Sequence, residues 1–418
     1  MKRRLFFILL IVILLCLACA AGAETVKVDN IERANLCASA NGKTLAKIYQ
    51  GVPAERLEKK GKWSRIRIGE DSVTLTGWMK NEYLTPIDED EWLYPGQDCI
   101  PAQGHETVPL LSAAAKNAAI AEAWDGTDDD GFLTVAGVLS DNDWLLVALT
   151  GEDNTPRWFY AAADSLASFD SVYVISRAAD TVVSLRAEPN TKAKVLSSVF
   201  GGVSANVLFD FEQKNGWTRI GIGGVAGFMM NDFLMEVEFD VPPYRPPLCP
   251  LAKPSVRVYA NSTGDDPVIS PYGDLLSETE LFIVLARGKT RYQIRIETGE
   301  PGEYRFGWID HTDLKTEDLV AGSTKALLLQ DTPVYNWELE ELGSLSAGET
   351  VTVRWFYSDF QSDGGPVLDY CDPASSEWVW IDADRYDFSL DEWGNGFVPV
   401  NTLQLDPYLI IPDPMGVG

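Results

Sequence analysis

Residues that could carry nucleophilic catalysis are few in this chain of 418 residues. It contains two histidines and, after residue 23, four cysteines: His105, His311, Cys37, Cys99, Cys249 and Cys371. A cysteine nucleophile needs an adjacent base such as an imidazole, yet both histidines lie in segments that belong to the repeat described below. No H-E-x-x-H, G-x-S-x-G or S-x-x-K motif appears in a supporting context. We therefore expect no enzyme and no cofactor.

Acidic residues raise two further possibilities. Residues 125–131, D-G-T-D-D-D-G, resemble a calcium loop. With Gly131 at the sixth position of an EF-hand, however, Gly126 and Gly137 occupy the first and twelfth positions, where acids are required. A solvated acidic hairpin is the interpretation adopted, so no metal site is predicted. A carboxylate pair for glycoside hydrolysis stays open by motif, although the known hydrolase folds need a larger domain than any stretch left over.

The four later cysteines show no C-x-x-C and no metal-like spacing. One or two disulfides remain open in an oxidising compartment, and the sequence does not choose among the possible pairings.

The first 23 residues indicate export. A basic start, an apolar run and the small residues Ala21-Gly22-Ala23 predict a secretory signal peptide, residues 1–23, cut before Glu24. An uncleaved membrane anchor and a lipoprotein cut at Cys19 are the alternatives. We expect a secreted protein without membrane insertion after cleavage, and retention at the cell surface is left open.

Charge limits the partners. Removing Lys2, Arg3 and Arg4 lowers the formal net charge from −28 to −31. Such a field repels nucleic acid and other polyanions, so no nucleic-acid partner is expected and contacts with a ligand must be local.

A strand-like phrase recurs along the chain: an aromatic residue, two positions, a branched apolar residue, one position, and another apolar residue. It begins at Trp63, Trp144, Trp217 and Trp378, and a variant begins at Arg291. Apolar residues two apart share one face of a strand, so each phrase predicts a half-buried β-strand. The four tryptophan strands and the variant define five modules.

A second phrase follows each strand. Glycine precedes an aromatic residue at Gly77-Trp78, Gly227-Phe228, Gly307-Trp308 and Gly396-Phe397, while Arg157-Trp158 is the variant in module 2. Leucine follows the four regular aromatics six residues later, and the gap from Trp158 to Leu166 is eight. Glycine before a strand aromatic permits a close backbone approach, as in a small sheet that folds over itself.

These phrases resemble bacterial SH3 (SH3b) domains, whose usual form has an N-L-R start, a G-x-W-x-x-V strand, a G-W-V strand and a closing Y-L. Modules 1 and 3 carry the likeness best, through Asn35-Leu36, Gly61-Lys-Trp63, Gly77-Trp78 and Tyr83-Leu84, and through Ser184-Leu185-Arg186, Gly216-Trp217, Gly227-Phe228 and Phe233-Leu234. The resemblance implies an all-β chain of about five tandem, antiparallel SH3-like barrels. It also implies binding to peptidoglycan or another cell-envelope polymer.

The predicted divisions place modules 1 to 5 at residues 30–87, 104–168, 178–238, 255–317 and 324–405. Residues 239–254 are rich in proline and are expected to form an extended spacer between a three-module and a two-module arm. The tail, 406–418, contains Pro407, Pro412 and Pro414 and is expected to lack regular structure. The Ala-rich run 112–124 has helical propensity but stands where module 1 has its second strand.

Aromatic side chains are the candidate ligand-binding residues, because exposed rings stack on sugars and peptides. The candidates are Tyr49, Trp63, Tyr83, Trp217, Tyr272 and Tyr304. For the tryptophans, packing in a core or at a barrel rim is the competing interpretation. The functional alternatives to envelope binding are a cell-surface scaffold that binds a protein partner and an accessory part of a wall hydrolase system.

Overall fold

A computed structural model describes most of the chain. The residues described are 24–87, 94–127, 131–151, 155–176, 181–236, 244–264, 275–277, 281–297, 304–316, 320–323, 325–336, 338–357, 376–382 and 395–405. Within these ranges the chain forms antiparallel strands and short 3-10 helices, so the predicted all-β, antiparallel class is confirmed. None of the helices in the described ranges has the length and apolarity needed to cross a lipid bilayer.

The chain divides into two compact units. The first contains Met1–Pro101, Glu106–Ser168 and Phe209–Glu212, and the second contains Ala102–His105, Phe169–Leu208 and Gln213–Gly418. Module 1 and all of module 2 from Glu106 onward therefore belong to the first unit, together with four residues from module 3.

The described residues between Glu24 and Val174, which include modules 1 and 2, form fifteen strands. They are β1 Glu24–Val28, β2 Arg33–Cys37, β3 Thr44–Tyr49, β4 Pro53–Lys60, β5 Trp63–Glu70, β6 Val73–Lys80, β7 Leu84–Pro86, β8 Gln97–Asp98, β9 Ile100–Pro101, β10 Val108–Leu111, β11 Ile120–Trp124, β12 Phe132–Leu139, β13 Trp144–Thr150, β14 Pro156–Ala162 and β15 Leu166–Val174. A 3-10 helix, Asn81–Tyr83, links β6 to β7.

The described residues from Val182 to Leu405 form the remaining strands. They are β16 Val182–Arg186, β17 Val195–Phe200, β18 Ser204–Leu208, β19 Trp217–Ile222, β20 Val225–Met230, β21 Leu234–Glu236, β22 Tyr244–Pro250, β23 Ser255–Arg257, β24 Leu275–Ser277, β25 Leu281–Arg287, β26 Arg291–Glu297, β27 Tyr304–Asp310, β28 Val320–Ser323, β29 Lys325–Leu328, β30 Thr332–Tyr335, β31 Glu341–Leu345, β32 Thr350–Tyr357, β33 Trp378–Asp382, β34 Asn395–Pro399 and β35 Leu403–Leu405. Further 3-10 helices are Asn231–Phe233, His311–Asp313 and Val400–Thr402.

One hairpin register occurs five times. In each case the residue two positions after the phrase's first residue pairs with the aromatic of the second phrase. The pairs are Arg65 with Trp78, Leu146 with Tyr160, Arg219 with Phe228, Gln293 with Trp308, and Trp380 with Phe397. The register places Arg291 where the other modules have tryptophan. In module 2 it selects Tyr160, not Trp158, and the distance from Tyr160 to Leu166 is six residues, as in the other modules.

A closing pair also recurs. The leucine six residues after each aromatic pairs with a residue at the start of its module: Leu84 with Val28, Leu166 with Pro101, Leu234 with Val174, Leu314 with Leu251, and Leu403 with Leu328. The closing leucine thus returns to the start of its module, through paired strands in modules 1, 2, 3 and 5 and through an isolated bridge in module 4.

Glycine before the aromatic permits a close approach. A Cβ on Gly77 would lie 2.7 Å from Leu36 Cγ and 2.9 Å from the Cys37 carbonyl oxygen. A Cβ on Gly227 would lie at the same two distances from Leu185 Cγ and the Arg186 carbonyl oxygen. Both distances are far below van der Waals contact, so these positions require glycine.

Sheets and cores extend beyond single modules. In the first unit, β3 of module 1 pairs with β12 of module 2, and a 13-stranded sheet surrounds one continuous hydrophobic core. In the second unit, β17 of module 3 pairs with β25 of module 4, and these modules likewise share a core. The described strands of module 5 form their own seven-stranded sheet and core.

The proline-rich stretch differs from the expected spacer. Its residues Tyr244–Pro250 form β22, which pairs with β25 on one side and β28 on the other. The register shifts between Arg245 and Leu248, so Pro246 and Pro247 lie in the irregularity, where a missing backbone N–H costs no ladder hydrogen bond. Residues Tyr244–Pro250 are thus a strand of the sheet that modules 3 and 4 share.

The Ala-rich run forms no helix. Val108–Leu111 and Ile120–Trp124 pair as the strands β10 and β11, joined by turns. Pairing with neighbouring strands therefore overrides the helical propensity of alanine. The predicted tail, 406–418, and the predicted signal peptide, 1–23, lie outside the described residues.

Candidate functional site

Trp63, Lys80 and Tyr83 form an aromatic edge on module 1. Trp63 begins β5 and is half-buried, and it pairs across the ladder with Lys80 at the end of β6. The Lys80 Nζ lies 5.5 Å from the centre of the Tyr83 ring, within cation–π range. Tyr83 is half-buried against the core of the unit. The Lys80 amino group therefore lies against the Tyr83 ring, and Trp63 is its partner on the neighbouring strand.

Asn81 holds this edge together. Its side-chain Nδ2 donates to the Gly61 carbonyl oxygen at 2.8 Å, and its Oδ1 accepts a hydrogen bond from the buried Ser64 hydroxyl at 2.6 Å. Its backbone N–H donates to the Lys62 carbonyl oxygen at 2.9 Å. These bonds join the turn before Trp63 to the 3-10 helix that carries Tyr83, so one side chain fixes the spacing of both rings.

The polar part of the edge is an exposed ion pair. Lys80 Nζ lies 3.0 Å from Glu82 Oε1, and both side chains are largely in solvent. The hydrogen bond to Glu82 raises the pKa of Lys80, and the same bond lowers the pKa of Glu82. Both groups are therefore charged near neutral pH, and an incoming anionic or hydroxyl group can take the place of Glu82.

Module 3 repeats the edge with different chemistry. Trp217 is half-buried and pairs with Met230, and Phe233 takes the place of Tyr83. Asn231 repeats the role of Asn81: its N–H donates to the Gly216 carbonyl oxygen at 3.0 Å, and its Oδ1 accepts from the Thr218 hydroxyl at 2.9 Å. This edge therefore presents apolar groups where module 1 presents a cation and a phenol.

Module 4 fills the same position with a buried cation. Arg291 donates through Nε to Asp310 Oδ1 at 3.0 Å and through Nη1 to the carbonyl oxygens of Asn261 and Gly264. Its guanidinium lies 3.4 Å from the centre of the Tyr259 ring. Because the Arg291 side chain is 8% exposed, these bonds hold the module's own loop and leave little of the cation for a ligand.

Modules 2 and 5 differ again. Trp144 of module 2 stands at the position of Trp63 and is buried. Trp158 and Tyr160 on the next strand are buried as well. Trp378 of module 5 is half-buried and meets Tyr335 edge to face at 5.4 Å, while Trp380 stacks on Phe397 at 6.5 Å. The aromatic residues of module 5 thus contact one another.

The remaining predicted residues lie apart from these edges. Tyr49 ends β3, is 7% exposed and packs edge to face on Phe209 at 6.1 Å, and burial raises the pKa of its phenol. Tyr304 begins β27 and pairs with Glu297. Tyr272 lies outside the described residues. Lys80 therefore links Trp63, its ladder partner, to Tyr83, while Trp217 holds the matching position of module 3 and Tyr49 lies elsewhere.

The residues that could carry other chemistry are dispersed. Cys37, Cys99 and Cys249 are buried and form no disulfide with one another, and burial raises the pKa of the Cys99 thiol. His311 lies in a 3-10 helix with its ring 4.5 Å from that of Tyr292, and burial lowers its pKa. Among the residues that the structure describes, no group of three or more histidine, cysteine or acidic side chains could hold a metal ion. Cys371 and residues 128–130 of the acidic loop fall outside them.

Sequence reasoning missed Lys80 and Asn81, and also the burial of Arg291. Asn81 and Asn231 both stand three residues after the aromatic of the second phrase, so the repeat contained a signal for this asparagine. No protein-family model matches the chain, and no curated protein matches it.

Proposed function

We propose that the protein is a non-catalytic, secreted binding protein. It consists of five SH3-like barrels, and two of them, modules 1 and 3, bind peptidoglycan or another cell-envelope component. The fivefold hairpin register and the fivefold closing pair support this proposal, because they repeat the strand order that the SH3b resemblance implies. The observation that carries it is the edge formed by Trp63, Lys80 and Tyr83.

The chemistry of this edge suits a polymer of sugars and peptides. Partly exposed rings stack on the apolar faces of sugars, and the nearby Lys80 amino group pairs with a carboxylate or donates its N–H groups to hydroxyl oxygens. The cation is local, as binding requires in a protein whose net charge is −31 without residues 1–23. Modules 1 and 3 are the proposed ligand-binding modules, and the other three support them.

A cell-surface scaffold is the second candidate. Tyr and Trp are enriched in protein–protein interfaces, and module 5 carries the half-buried aromatic residues Tyr335, Trp378 and Trp380 on one sheet. In this function the chain binds a surface protein in place of the envelope polymer. A further alternative is an accessory role in a wall hydrolase system.

Sedimentation with purified sacculi tests the first function. The chain from Glu24 onward is mixed with peptidoglycan stripped of protein and teichoic acid, and the pelleted fraction is measured. We expect sedimentation, and we expect it to fall at least about tenfold in a Trp63→Ala/Trp217→Ala variant if each ring contributes ~1 kcal/mol. Phe169→Ala is the matched control, because Phe169 is a 64% exposed aromatic residue outside the two edges.

Three results decide between the candidates. If the double variant sediments as well as the wild type, the edges are not the binding surface. If the wild type stays in the supernatant, the polymer is not the ligand and the scaffold function gains support. A fall in the turbidity of the sacculi contradicts the non-catalytic assignment.

A further inference from the structure

The first compact unit holds four residues that are remote in sequence from the rest of it. Residues Phe209–Glu212, F-D-F-E, follow β18 of module 3 but belong to the unit built from modules 1 and 2. Phe209 and Phe211 are 5% and 8% exposed and are part of the unit's hydrophobic core. The segment is therefore bound as completely as a core strand, although it forms no strand.

Backbone and side chain of the segment are both recognised. The Arg33 Nη1 donates to the Asp210 carbonyl oxygen at 2.7 Å. The Asn142 side chain makes two further bonds: its Nδ2 donates to Asp210 Oδ1 at 2.9 Å, and its Oδ1 accepts from the Phe211 N–H at 3.0 Å. A side-chain amide that bonds both the carboxylate and the next N–H selects an acidic residue at this position of the segment.

The two phenylalanine rings contact different residues of the first unit. Tyr49 meets Phe209 edge to face at 6.1 Å, and the Lys47 Nζ lies 5.0 Å from the centre of the Phe211 ring. Arg33 and Lys47 supply two positive charges beside Asp210 and Glu212. Arg33, Lys47, Tyr49 and Asn142 thus contact the segment from one unit, and the site that they form, called here the FDF cleft, carries the opposite charge.

The segment is not needed for the hairpin of its own module. In the other four modules the first strand of this hairpin continues beyond a bulge at Leu57, Ala136, Leu285 or Arg354. In module 3, β18 ends at Leu208, the matching position, and eight residues intervene before Trp217. The chain therefore leaves the repeat pattern at the point where the FDF segment begins.

We propose that the FDF cleft is a peptide-binding site for an aromatic–Asp–aromatic segment, and that residues 209–212 occupy it as an internal ligand. This site is separate from the aromatic edges of modules 1 and 3, and its ligand is a peptide and not an envelope polymer. Attachment within the same chain gives an internal segment a high effective concentration, of order millimolar. A free peptide therefore binds well only when the internal segment is removed.

Binding of a fluorescein-labelled peptide of residues 207–213 to the chain from Glu24 onward, followed by fluorescence anisotropy, tests the site. We expect the Phe209→Ala/Phe211→Ala chain to bind the peptide at least about tenfold more tightly than the wild type does, because its cleft is empty. Adding Asn142→Gly should weaken that binding about tenfold through the loss of two hydrogen bonds. Glycine is chosen because Asn142 has a φ of 62°, where alanine is strained.

Asn41→Gly is the matched control, because Asn41 is an exposed turn asparagine with the same φ of 62°. Equal binding to the wild type and the double variant, or an equal effect of the two glycine substitutions, overturns the proposal. A second measurement needs no core substitution. Hydrogen exchange at the Phe211 amide of the otherwise wild-type chain should accelerate about tenfold with Asn142→Gly and stay unchanged with Asn41→Gly. The same exchange rate in both variants also overturns it.

Discussion

Modules 1 and 4 use one backbone arrangement for opposite purposes. In module 1 the first position of the hairpin holds the half-exposed Trp63, and in module 4 it holds the buried Arg291. The residue across the ladder changes from Lys80 to Asp310. The same register therefore supports an open aromatic edge in one module and a closed ion-pair network in the other.

The change extends to the support behind the edge. Ser64 and Asn81 share a hydrogen bond of 2.6 Å in module 1, and the matching residues of module 4, Tyr292 and His311, place their rings 4.5 Å apart. Strand pairing depends on backbone groups, which are alike in all modules, whereas binding depends on side chains. A repeated fold thus does not imply a repeated ligand.

Removal of Arg291 should have the largest effect on stability. Arg291→Ala leaves the carbonyl oxygens of Asn261 and Gly264 without this donor and removes the cation from the Tyr259 ring. Because the Asp310 side chain is 40% exposed, solvent screens the ion pair, and most of the loss comes from the carbonyls. We expect the free energy of unfolding of the second unit, measured in urea, to fall by about 3 kcal/mol. Arg65→Ala, at an exposed position, should change the first unit by less than about 0.5 kcal/mol.

Removal of Asn81 should have the next largest effect. Asn81→Ala eliminates the bonds to Ser64 and Gly61 and leaves the buried Ser64 hydroxyl without that acceptor. We expect a loss of about 2 kcal/mol in the first unit by urea unfolding. Asn215→Ala, at an exposed asparagine of the second unit, is the control. An equal change in the free energy of unfolding for both variants would show that Asn81 does not support the edge.

Replacement of Trp63 should cost less. Full burial of a tryptophan makes its removal cost about 3–5 kcal/mol, but Trp63 is half-buried. We expect Trp63→Ala to lower the stability of the first unit by about 1 kcal/mol in urea and to reduce sacculus binding more than Arg291→Ala does. A loss near that of a core tryptophan, such as the buried Trp144, would identify Trp63 as a packing residue.

The smallest effect concerns pH. Burial lowers the pKa of His311 below its ordinary value of 6.5. The unfolded chain therefore binds a proton at a higher pH than the folded chain does, so the stability of the second unit falls as the pH decreases from 6.5 toward the folded pKa. A comparison of urea unfolding at pH 7.5 and at about pH 5.5 should show a smaller decrease for His311→Gln than for the wild type. The same decrease in both proteins would mean that other groups cause it.

The strands were predictable because their signal is local. Alternating apolar residues after Trp63, Trp217 and Arg291 indicate a buried face, and these residues do form β5, β19 and β26. In module 4, where arginine replaces the tryptophan, the two phrases also form two consecutive strands, β26 and β27. Alternation requires only that one face of a strand be buried, and this requirement does not depend on the neighbouring strand.

Alignment within a divergent module needed the structure. Trp158 follows Arg157 in a way that resembles the second phrase, yet the pairing of Leu146 selects Tyr160. Both side chains lie on the same face, two residues apart, and both are buried. A shift of two residues preserves the apolar pattern, so only the hydrogen-bond register distinguishes the two positions.

The sequence also did not predict how far each sheet extends. The strand β3 pairs with β12, and β17 pairs with β25, at edges that each carry ordinary backbone groups. We expected each module to close by itself and the proline-rich stretch to separate two arms, but β22 lies inside a shared sheet. Truncation at Pro246 would therefore cut this strand, and we expect that the two pieces do not fold independently.

The sequence by itself determined the all-β class, the fivefold phrase and the positions of most of its strands, because residue periodicity and turn glycines act over a few neighbouring residues. Only the tertiary structure decided which edges join, that Arg291 is buried while Trp63 stays half-exposed, and that residues 209–212 fill the FDF cleft. These features depend on groups far apart in the chain, and backbone hydrogen bonds at strand edges carry no residue-specific signal of the partner they will meet.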